Sequence, residues 1–415
     1  MILSIDFGTS NTAAALVMPD GSLRRIELEP VHASMPTALY FEGKATYFGS
    51  DALSAYLHNS DPESGRMMRG IKSLLGSQLL EEQTVINEKL VNFFEIIVIF
   101  LREVKRRAEN EIGEKIRATM LGRPVHFVDN RPDRDALAQT TLEKAAHAAG
   151  FESVQFQLEP IAAAFDYERT VDRDVTVLVI DIGGGTSDFT VMRLGPTRVT
   201  STDRRADILA TTGVHIGGAD FDKLLNFGFV MPLLGLGHVG PQNREVPSGI
   251  FFDLSTWHLI HHAHTRKSIQ SAADMRSSYT NKVLHDRLME VLENRHGHRI
   301  LSRVEAAKIA CSENQAEAII DLNDIETALK VDLSPSGLAS TLEKKIAEII
   351  SCAKLCVSSS KASAIDVVYL TGGSSGIRLL VDAAKEHFPN ANLVNGDKFE
   401  GVVAGLAWYA NSTRY

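Results

Sequence analysis

One hairpin pattern occurs twice in this chain of 415 residues, and the two copies begin roughly half a chain apart. The first copy is residues 3–11, LSIDFGTSN, and the second is residues 178–188, LVIDIGGGTSD. Each is an apolar strand that ends in Asp, then a turn rich in glycine and hydroxyl residues, then another strand. An internal repeat of this kind predicts two related lobes, and the chain is long enough for both. Two unrelated hairpins are the alternative interpretation.

Each turn offers the groups that bind a triphosphate. Glycines let backbone N–H groups approach phosphate oxygens, hydroxyls are short donors, and carboxylates hold Mg²⁺, usually through its water shell. The residues concerned are Asp6, Gly8, Thr9, Ser10 and Asn11 in the first turn, and Asp181, Gly183, Gly184, Gly185, Thr186 and Asp188 in the second. One such turn is weak evidence for a site. Two at equivalent points of a repeat predict loops that grip phosphate from both sides of a cleft.

Composition favours a cytoplasmic protein without nucleic-acid or membrane partners. The net charge of −9 supplies no excess of Lys and Arg to neutralise nucleic-acid phosphates. Three cysteines, Cys311, Cys352 and Cys356, cannot form a disulfide framework and indicate a reducing compartment. The chain reaches Asp6 too early for a signal peptide, and its most apolar stretch, 93–101, is far short of a membrane span.

The periodicity predicts alternating strands and helices and therefore an α/β fold. Residues 227–300 are harder to interpret, since glycine and proline punctuate the first part and the second is polar and rich in histidine. Strands are predicted at 1–6, 12–18, 23–28, 118–121, 175–180, 188–193 and 366–370, and helices at 90–112, 134–149, 161–169, from 301 onward and at 401–409.

Five further motifs accompany the two turns. Lys72 lies in IKSLLG at 71–76, and Glu159 precedes Pro160 in LEPIAAA at 158–164. Without other information Lys72 would be a solvated charge, and Glu159 a first-turn residue that stabilises its helix by ~0.3–1 kcal/mol. The remaining three motifs contain Gly217 and Gly218 in VHIGGADFD, Glu305, Lys308 and Ser312 on one face of a predicted helix, and Gly372, Gly373 and Ser374 in TGGS.

Together these motifs resemble the nucleotide-binding part of Hsp70-type chaperones, within the actin/hexokinase/Hsp70 superfamily, and are most similar to its YegD-like branch. The resemblance extends from Asp6 to about Gly405. It implies an actin-like ATPase fold, with two duplicated ribonuclease-H-like lobes around a nucleotide cleft. The first lobe is expected at 1–172, with a helix at 398–415 returning to it. The second is expected at 173–397, with an outer subdomain at about 223–305.

The resemblance also implies roles in Mg-dependent hydrolysis of ATP to ADP and phosphate. Asp6 and Asp181 would hold Mg²⁺ through water, and Lys72 would reach the γ-phosphate. Asp181, Asp188 or Glu159 would position the attacking water. The hydroxyls of Thr9 and Thr186 would stabilise charge, the helix with Glu305, Lys308 and Ser312 would clamp adenine and ribose, and the turn of Gly372, Gly373 and Ser374 would contact adenosine.

Some features depart from the family pattern. No peptide-binding domain follows the last predicted helix, so a direct chaperone cycle is not expected. Ala219 replaces a lobe-bridging Glu of the family. The arginine that partners the family's counterpart of Pro124 aligns near Gln139, with Arg131 and Arg134 as possible substitutes.

Two groups of side chains have a structural and a chemical interpretation. The stretch with His258, His261, His262 and His264 is predicted to be a polar surface helix rather than a metal site. Cys352 and Cys356 are predicted to pack in the core. Residues 227–300 are the expected contact region for a protein client or co-factor.

Other functions compatible with this fold stay open. A small-molecule kinase of the sugar type would need a catalytic Asp and a substrate pocket in the cleft. An actin-like filament protein would assemble with ATP. A nucleotide sensor would bind without turnover.

Overall fold

The computed structural model describes residues 1–30, 34–58, 65–86, 89–129, 131–198, 204–396 and 401–412. Within these ranges, no helix combines the length and apolar composition that crossing a bilayer requires. The strands are β1 Ile2–Phe7, β2 Asn11–Val17, β3 Leu23–Ile26, β4 Met35–Pro36, β5 Ala38–Glu42, β6 Ala45–Phe48, β7 Gly65–Arg69, β8 Gln83–Ile86, β9 Lys89–Asn92, β10 Ala118–Arg123, β11 Ser153–Leu158, β12 Val175–Ile182, β13 Ser187–Leu194, β14 Ile208–Val214, β15 Ala318–Asp321, β16 Lys330–Leu333, β17 Val367–Thr371 and β18 Asn392–Asn395. The α-helices are α1 Gly49–His58, α2 Phe93–Ile112, α3 Pro132–Ala148, α4 Glu159–Glu168, α5 Gly218–Leu225, α6 Gly249–Leu254, α7 Ile260–Ala263, α8 Arg266–Asp274, α9 Lys282–Glu293, α10 Gly297–Asn314, α11 Pro335–Ser360, α12 Arg378–His387 and α13 Gly401–Ser412.

Two mixed sheets of matching topology form the two lobes. The strand order is β11-β10-β1-β2-β3 in the first lobe and β18-β17-β12-β13-β14 in the second. In each, an antiparallel hairpin, β1–β2 or β12–β13, pairs in parallel with a later strand, β10 or β17. The α/β class and the internal duplication predicted from the sequence are confirmed.

Helix α13, the last described element, packs on the first lobe. Val402 and Leu406 are buried with Ala162 and Ala163 of α4. On another side of α13, Val403 lies among alanines of β2. This packing agrees with a C-terminal helix that returns to the first lobe, while the predicted lobe boundaries stay a prediction.

Each lobe carries a smaller outer part, and the two outer parts meet. In the first lobe it is β5–β7 with α1, and in the second it includes the short helices α6–α9. The hydroxyl of Tyr56 on α1 donates to the carbonyl oxygen of Arg295 at 2.7 Å. The guanidinium of Arg69, at the end of β7, lies 3.9 Å from the ring centre of Trp257. A polar and an aromatic contact therefore connect the lobes away from the sheets.

Helix α2 begins three residues later than the predicted helix, because Asn92 caps it. The Asn92 side chain accepts a hydrogen bond from the Glu95 backbone N–H at 2.8 Å, and the Glu95 side chain accepts one from the Asn92 N–H at 3.2 Å. This reciprocal capping fixes the helix start.

The histidine stretch differs from the predicted polar surface helix. Its only regular helix is the single turn α7, and His258, His261, His262 and His264 are all half-buried. His261 packs against Phe93 of the first lobe, with ring centres 5.6 Å apart. The sequence prediction failed because the stretch faces the other lobe, which its local composition does not encode.

The two cysteines on α11 have different surroundings. Cys356 is buried, as the core-packing interpretation predicts, and its thiol lies 3.5 Å from the carbonyl oxygen of Phe189 on β13. Cys352 is only half-buried and contacts the Thr212 hydroxyl at 3.5 Å.

Candidate functional site

The turns of the two hairpins lie against each other and line one cavity between the lobes. A Cβ atom on Gly184 would come within 2.3 Å of the Ser10 Oγ, and one on Gly185 within 2.8 Å of the Thr9 Oγ1. Only glycine therefore lets the second turn approach the first this closely. The two loops that the sequence predicted to face each other across a cleft are in contact.

The start of α5 braces the second turn. The N–H groups of Gly218 and Ala219 donate to the carbonyls of Gly183 and Gly184 at 3.0 and 2.7 Å. A Cβ atom on Gly217 would lie 2.5 Å from the Gly185 backbone nitrogen, so this position also needs glycine. Backbone hydrogen bonds thus hold the turn, and that of Ala219 does not depend on its side chain.

A buried ion pair lies in the cavity. Lys72 is in a single 3₁₀ turn, Ile71–Leu74, and Glu159 is the first residue of α4. The Lys72 Nζ and the Glu159 Oε1 are 2.8 Å apart, and the two side chains are only 8% and 10% exposed. Burial alone would lower the pKa of Lys72, but the carboxylates of Glu159 and Asp6 outweigh it and the pKa is raised. A charged ammonium is therefore kept inside the site.

The aspartates around this pair are crowded. Burial, reinforced by the Glu159 carboxylate, raises the pKa of Asp6 to about 7 and that of Asp188 to about 7. The pKa of Asp181 is raised well above its ordinary value, for the same two reasons. Four carboxyl groups share one ammonium, and buried like charges repel one another. A ligand cation in this site would relieve that repulsion.

Asp188 connects the lobes and does not line the cavity. Its Oδ1 accepts a hydrogen bond from the Val125 N–H, beyond the end of β10, at 2.6 Å. Nearby, the Asp129 Oδ2 accepts one from the His215 N–H at 2.7 Å. Asp188 thus tethers the second hairpin to the first lobe.

Helix α10 supplies another wall of the cavity through Glu305 and Lys308. The Lys308 Nζ lies 2.6 Å from the Asp222 Oδ1 of α5, and both side chains are buried. Despite this partner, burial raises the pKa of Asp222 to about 6. Glu305 pairs with Arg69 of the first lobe at 3.2 Å. Ion pairs therefore connect α10 to α5 in its own lobe and to Arg69 of the first lobe.

The turn after β17 completes the cavity. Gly372 has a φ of 87°, and a Cβ atom there would lie 2.4 Å from the Asp181 Oδ1. The Ser374 hydroxyl donates to the Gly183 carbonyl at 3.1 Å. This turn therefore packs directly on the second glycine turn. Ser312 does not line the cavity; its Oγ accepts the Arg378 N–H at 2.9 Å.

Most of the residues that the sequence analysis singled out line this one cavity. Asp188, Gly217 and Ser312 do not line it, although each contacts residues close to it. The cavity contains Asp6, Gly8, Thr9, Ser10, Asn11, Lys72, Glu159, Asp181, Gly183, Gly184, Gly185, Thr186, Gly218, Glu305, Lys308, Gly372, Gly373 and Ser374. The sequence analysis missed Ala13, Ser34, Ile309, Ile377 and Val402, which also line it. Ile309 follows Lys308 directly and is 46% exposed, but an apolar residue on an amphipathic helix is ordinarily read as core.

The carboxylates suit a hydrated Mg²⁺ rather than a directly caged ion. In the described part of the chain, no three His, Cys, Asp or Glu side chains come together as a direct metal cluster. Half-buried Asp6 and buried Asp181 nevertheless line the same cavity, and both have raised pKa values. Mg²⁺ commonly keeps several waters and takes one or two protein carboxylates. The residues present fit that mode.

Arg123 contacts both Pro124 and Gln139, whereas the suggestion of Arg131 or Arg134 as the partner of Pro124 stays a prediction. The Arg123 guanidinium donates to the Gln139 side chain, to the Pro124 carbonyl at 3.0 Å and to Asp135 at 2.9 Å. Arg131 pairs with Asp133 at the exposed start of α3. Because Arg123 directly precedes Pro124 in the sequence, its contact with Pro124 could have been predicted from the sequence.

Comparison with known proteins gives one consistent result. The family model described as Hsp70 protein matches residues 2–231. A chaperone protein DnaK of Thermosipho melanesiensis is 31% identical over 227 residues, which cover 54% of this chain and 34% of that protein. A DnaK of Thermotoga maritima is 30% identical over 227 residues, covering 54% and 35%. The match spans about a third of each relative's length.

Proposed function

The chain belongs to the Hsp70 family, which has the actin-like ATPase fold, and we propose that it binds Mg-ATP between its lobes and hydrolyses it slowly as a conformational switch. Membership supports a chaperone-related, ATP-binding protein. The single observation that carries the proposal is the contact between two glycine turns around a buried lysine and its carboxylates.

The two turns would hold the phosphates. Thr9 and Ser10 of the first turn and Thr186 of the second line the cavity from opposite lobes, and the turns would offer backbone N–H groups and hydroxyls to the phosphates. An anion bound there has donors on both sides, so binding favours the closed arrangement. Glu305, Lys308 and the Gly372–Ser374 turn would hold the nucleoside, and Ile309 and Ile377 give it an apolar surface.

Lys72 is the proposed partner of the transferred phosphoryl group. In phosphoryl transfer most catalysis comes from placement and from charge that is already organised. Glu159 keeps Lys72 charged and oriented, and as a buried carboxylate it is also placed to orient a water. Asp188 accepts a hydrogen bond from the Val125 N–H, so we assign it a positioning role. Asp181 and Glu159 are then the residues that we propose to orient the attacking water.

Magnesium would be held through water by Asp6 and Asp181. When bound, it supplies neutralisation of phosphate charge. The same two carboxylates carry raised pKa values before a cation binds. They would therefore release protons when the metal binds.

The switch would act through the contacts between lobes. Both lobes contribute to the phosphate site, so loss of the γ-phosphate removes contacts that hold them together. Exposed apolar residues in the second lobe's outer part, Val239, Phe252 and Val283, support a protein client or co-factor contact within 227–300. Membership of the YegD-like branch and a cytoplasmic location stay predictions.

The test is phosphate release from Mg-ATP by the wild type and by Lys72→Ala, with ATP binding measured separately. We expect slow release without an added acceptor, reduced by about 100-fold or more in Lys72→Ala while ATP still binds. Lys44→Ala, at an exposed lysine of the first lobe, is the matched control and should release phosphate like the wild type.

The same assay with added sugars and polyols separates the other functions. A phosphorylated product that forms only with an acceptor would contradict the switch and indicate a small-molecule kinase. Tight binding without turnover in either protein would indicate a nucleotide sensor. ATP-dependent sedimentation that rises with protein concentration would indicate a filament protein.

A further inference from the structure

A second pocket lies between the outer parts of the two lobes, apart from the glycine turns. The first lobe contributes Tyr40, Tyr56 and Arg66 to its wall, and the second lobe contributes His264, Arg295 and Asp324 among others. None of its lining residues also lines the nucleotide cavity. The proposed function does not use this pocket.

Among the described residues, the acids of the pocket leave two guanidinium groups uncompensated. Asp324 is already engaged, with Arg299 at 3.2 Å and Arg303 at 2.5 Å. Glu290 accepts from Asn294 at 2.7 Å and lies 3.5 Å from His296. Across the described ranges, no carboxylate forms an ion pair with Arg66 or Arg295. The pocket therefore has two arginines whose charge no described acid balances.

Two buried nitrogen atoms of the pocket also lack a partner within the same ranges. Neither the Arg66 Nε nor the His264 Nε2 has a hydrogen bond, although both are shielded from solvent. A buried donor or acceptor without a hydrogen bond is unfavourable, so a water, an ion or a ligand that can pair with it stabilises the site. The other nitrogen of His264 lies 3.0 Å from the Leu292 carbonyl oxygen and must donate to it. In the neutral ring the Nε2 is consequently an acceptor.

The backbone of Arg295 is held in an uncommon conformation. Its φ of 52° lies in the left-handed region, which non-glycine residues rarely adopt. Its carbonyl oxygen accepts the Tyr56 hydroxyl from the other lobe at 2.7 Å. The strained residue is thus both at the interlobe contact and in the wall of the pocket.

We propose that this interlobe pocket binds the phosphate group of a small ligand, with Arg66 and Arg295 as its cationic partners. Guanidinium groups pair with phosphate through two parallel N–H donors, which suits two arginines in one pocket. The acceptor on His264 favours a ligand that also carries a hydroxyl. Since both lobes supply groups, the ligand binds best when the outer parts are together, and its binding is coupled to lobe closure.

The test is isothermal titration calorimetry of the full chain, at low salt and with saturating Mg-ADP to occupy the nucleotide cavity. The probes are glycerol 3-phosphate, inorganic phosphate and glycerol. We expect glycerol 3-phosphate to bind, and Arg66→Gln and Arg295→Gln each to weaken it by about tenfold or more. Arg244→Gln, at an exposed arginine of the second lobe, is the matched control and should leave the affinity unchanged.

The probes also identify the source of the phosphate. Tighter binding of glycerol 3-phosphate than of inorganic phosphate supports a hydroxyl-bearing ligand, and equal binding supports free phosphate at the same site. Absence of binding by both, or equal binding by the wild type and both arginine variants that still melt cooperatively, overturns the proposal. Because Arg66 and Arg295 lie outside the nucleotide cavity, failure of ATP hydrolysis would leave this test intact.

Discussion

Burial sets the charge of individual side chains in both interlobe sites. In the cavity between the glycine turns, burial and then the Glu159 carboxylate raise the pKa of Asp6 to about 7, and the same two causes raise that of Asp188, which does not line the cavity, to about 7. In the outer pocket, burial lowers the pKa of His264 to about 4 and that of His261 to about 3. The first site is therefore suited to a cation, and the second keeps its histidines neutral near pH 7.

The pKa of His264 makes stability depend on pH. Its pKa in the folded chain is about 4, against an ordinary value of 6.5. Between these values the unfolded chain binds the proton more readily, so the stability that neutral His264 provides is present above pH 6.5 and lost as pH falls towards 4. Between pH 7.5 and 5 the loss from this residue is about 2 kcal/mol, at ~1.4 kcal/mol per pH unit below 6.5.

Urea unfolding of the wild type and His264→Gln at the two pH values measures this loss. Glutamine can still donate to the Leu292 carbonyl, and the variant should lose about 2 kcal/mol less than the wild type on acidification. His387→Gln, at an exposed histidine of α12, is the control and should behave like the wild type. Equal losses in the wild type and His264→Gln would contradict the role of burial.

The sequence identified most of the residues that line the cavity between the glycine turns, because each motif is local. Glycine turns, the Lys72 segment and the α10 face are each contained within about a dozen residues. Ion pairs between distant segments were not predictable, as with Lys308–Asp222 and Arg69–Glu305. These pairs depend on how the lobes pack, and no local pattern encodes that packing.

At the scale of elements, the two hairpins were predicted from the repeat, whereas the ends of elements required side-chain detail. The repeat predicted β1–β2 and β12–β13, and the two sheets share one topology. The start of α2 depended on the Asn92 cap. The half-buried histidine segment around α7 was missed, since its environment comes from the opposite lobe.

The contact between α4 and α13 depends on Gly405. A Cβ atom at Gly405 would lie 1.7 Å from the Ala162 carbonyl oxygen, so the two helices touch along their backbones. Gly405→Ala must push them apart in a packed core, and we expect a loss of about 1–3 kcal/mol in the free energy of unfolding.

Thermal or urea unfolding checks this prediction against Gly249→Ala. Gly249 starts α6, and a Cβ atom there would have no heavy atom within 4 Å, so alanine should be neutral or slightly stabilising. Equal stability of Gly405→Ala and the wild type would mean that α13 is not held at this distance.

At the scale of the whole molecule, several sets of contacts join the described parts of the two lobes, and an apolar cluster between α4, α13 and the second sheet is one of them. The glycine turns meet at the phosphate site, Asp188 and Asp129 tie the second lobe to the end of β10, and the outer parts meet around Trp257. We therefore expect a ligand that bridges the two glycine turns to affect the interlobe contacts at Asp188, Asp129 and Trp257 as well. The duplication that predicted the two lobes did not predict the outer contacts, because the outer parts are unlike each other.

Trp257 lies where the outer parts of the two lobes meet, so we expect its fluorescence to change when the lobes move relative to each other. The Arg69 guanidinium of the first lobe lies 3.9 Å from its ring centre, and its indole N–H donates to Asp222 at 3.4 Å. Trp408 is the other tryptophan of the chain, so Trp408→Phe leaves Trp257 as the sole tryptophan emitter.

The most direct test of the ATP-driven switch is a single turnover of Mg-ATP by the Trp408→Phe protein, with Trp257 fluorescence and phosphate release recorded together. We predict a fast fluorescence change as ATP binds and a slower return at the rate of phosphate release. With Lys72→Ala added, the first phase should remain and the second should disappear. Fluorescence that does not respond to ATP, or a return that is independent of phosphate release, would contradict the proposal that hydrolysis moves the lobes.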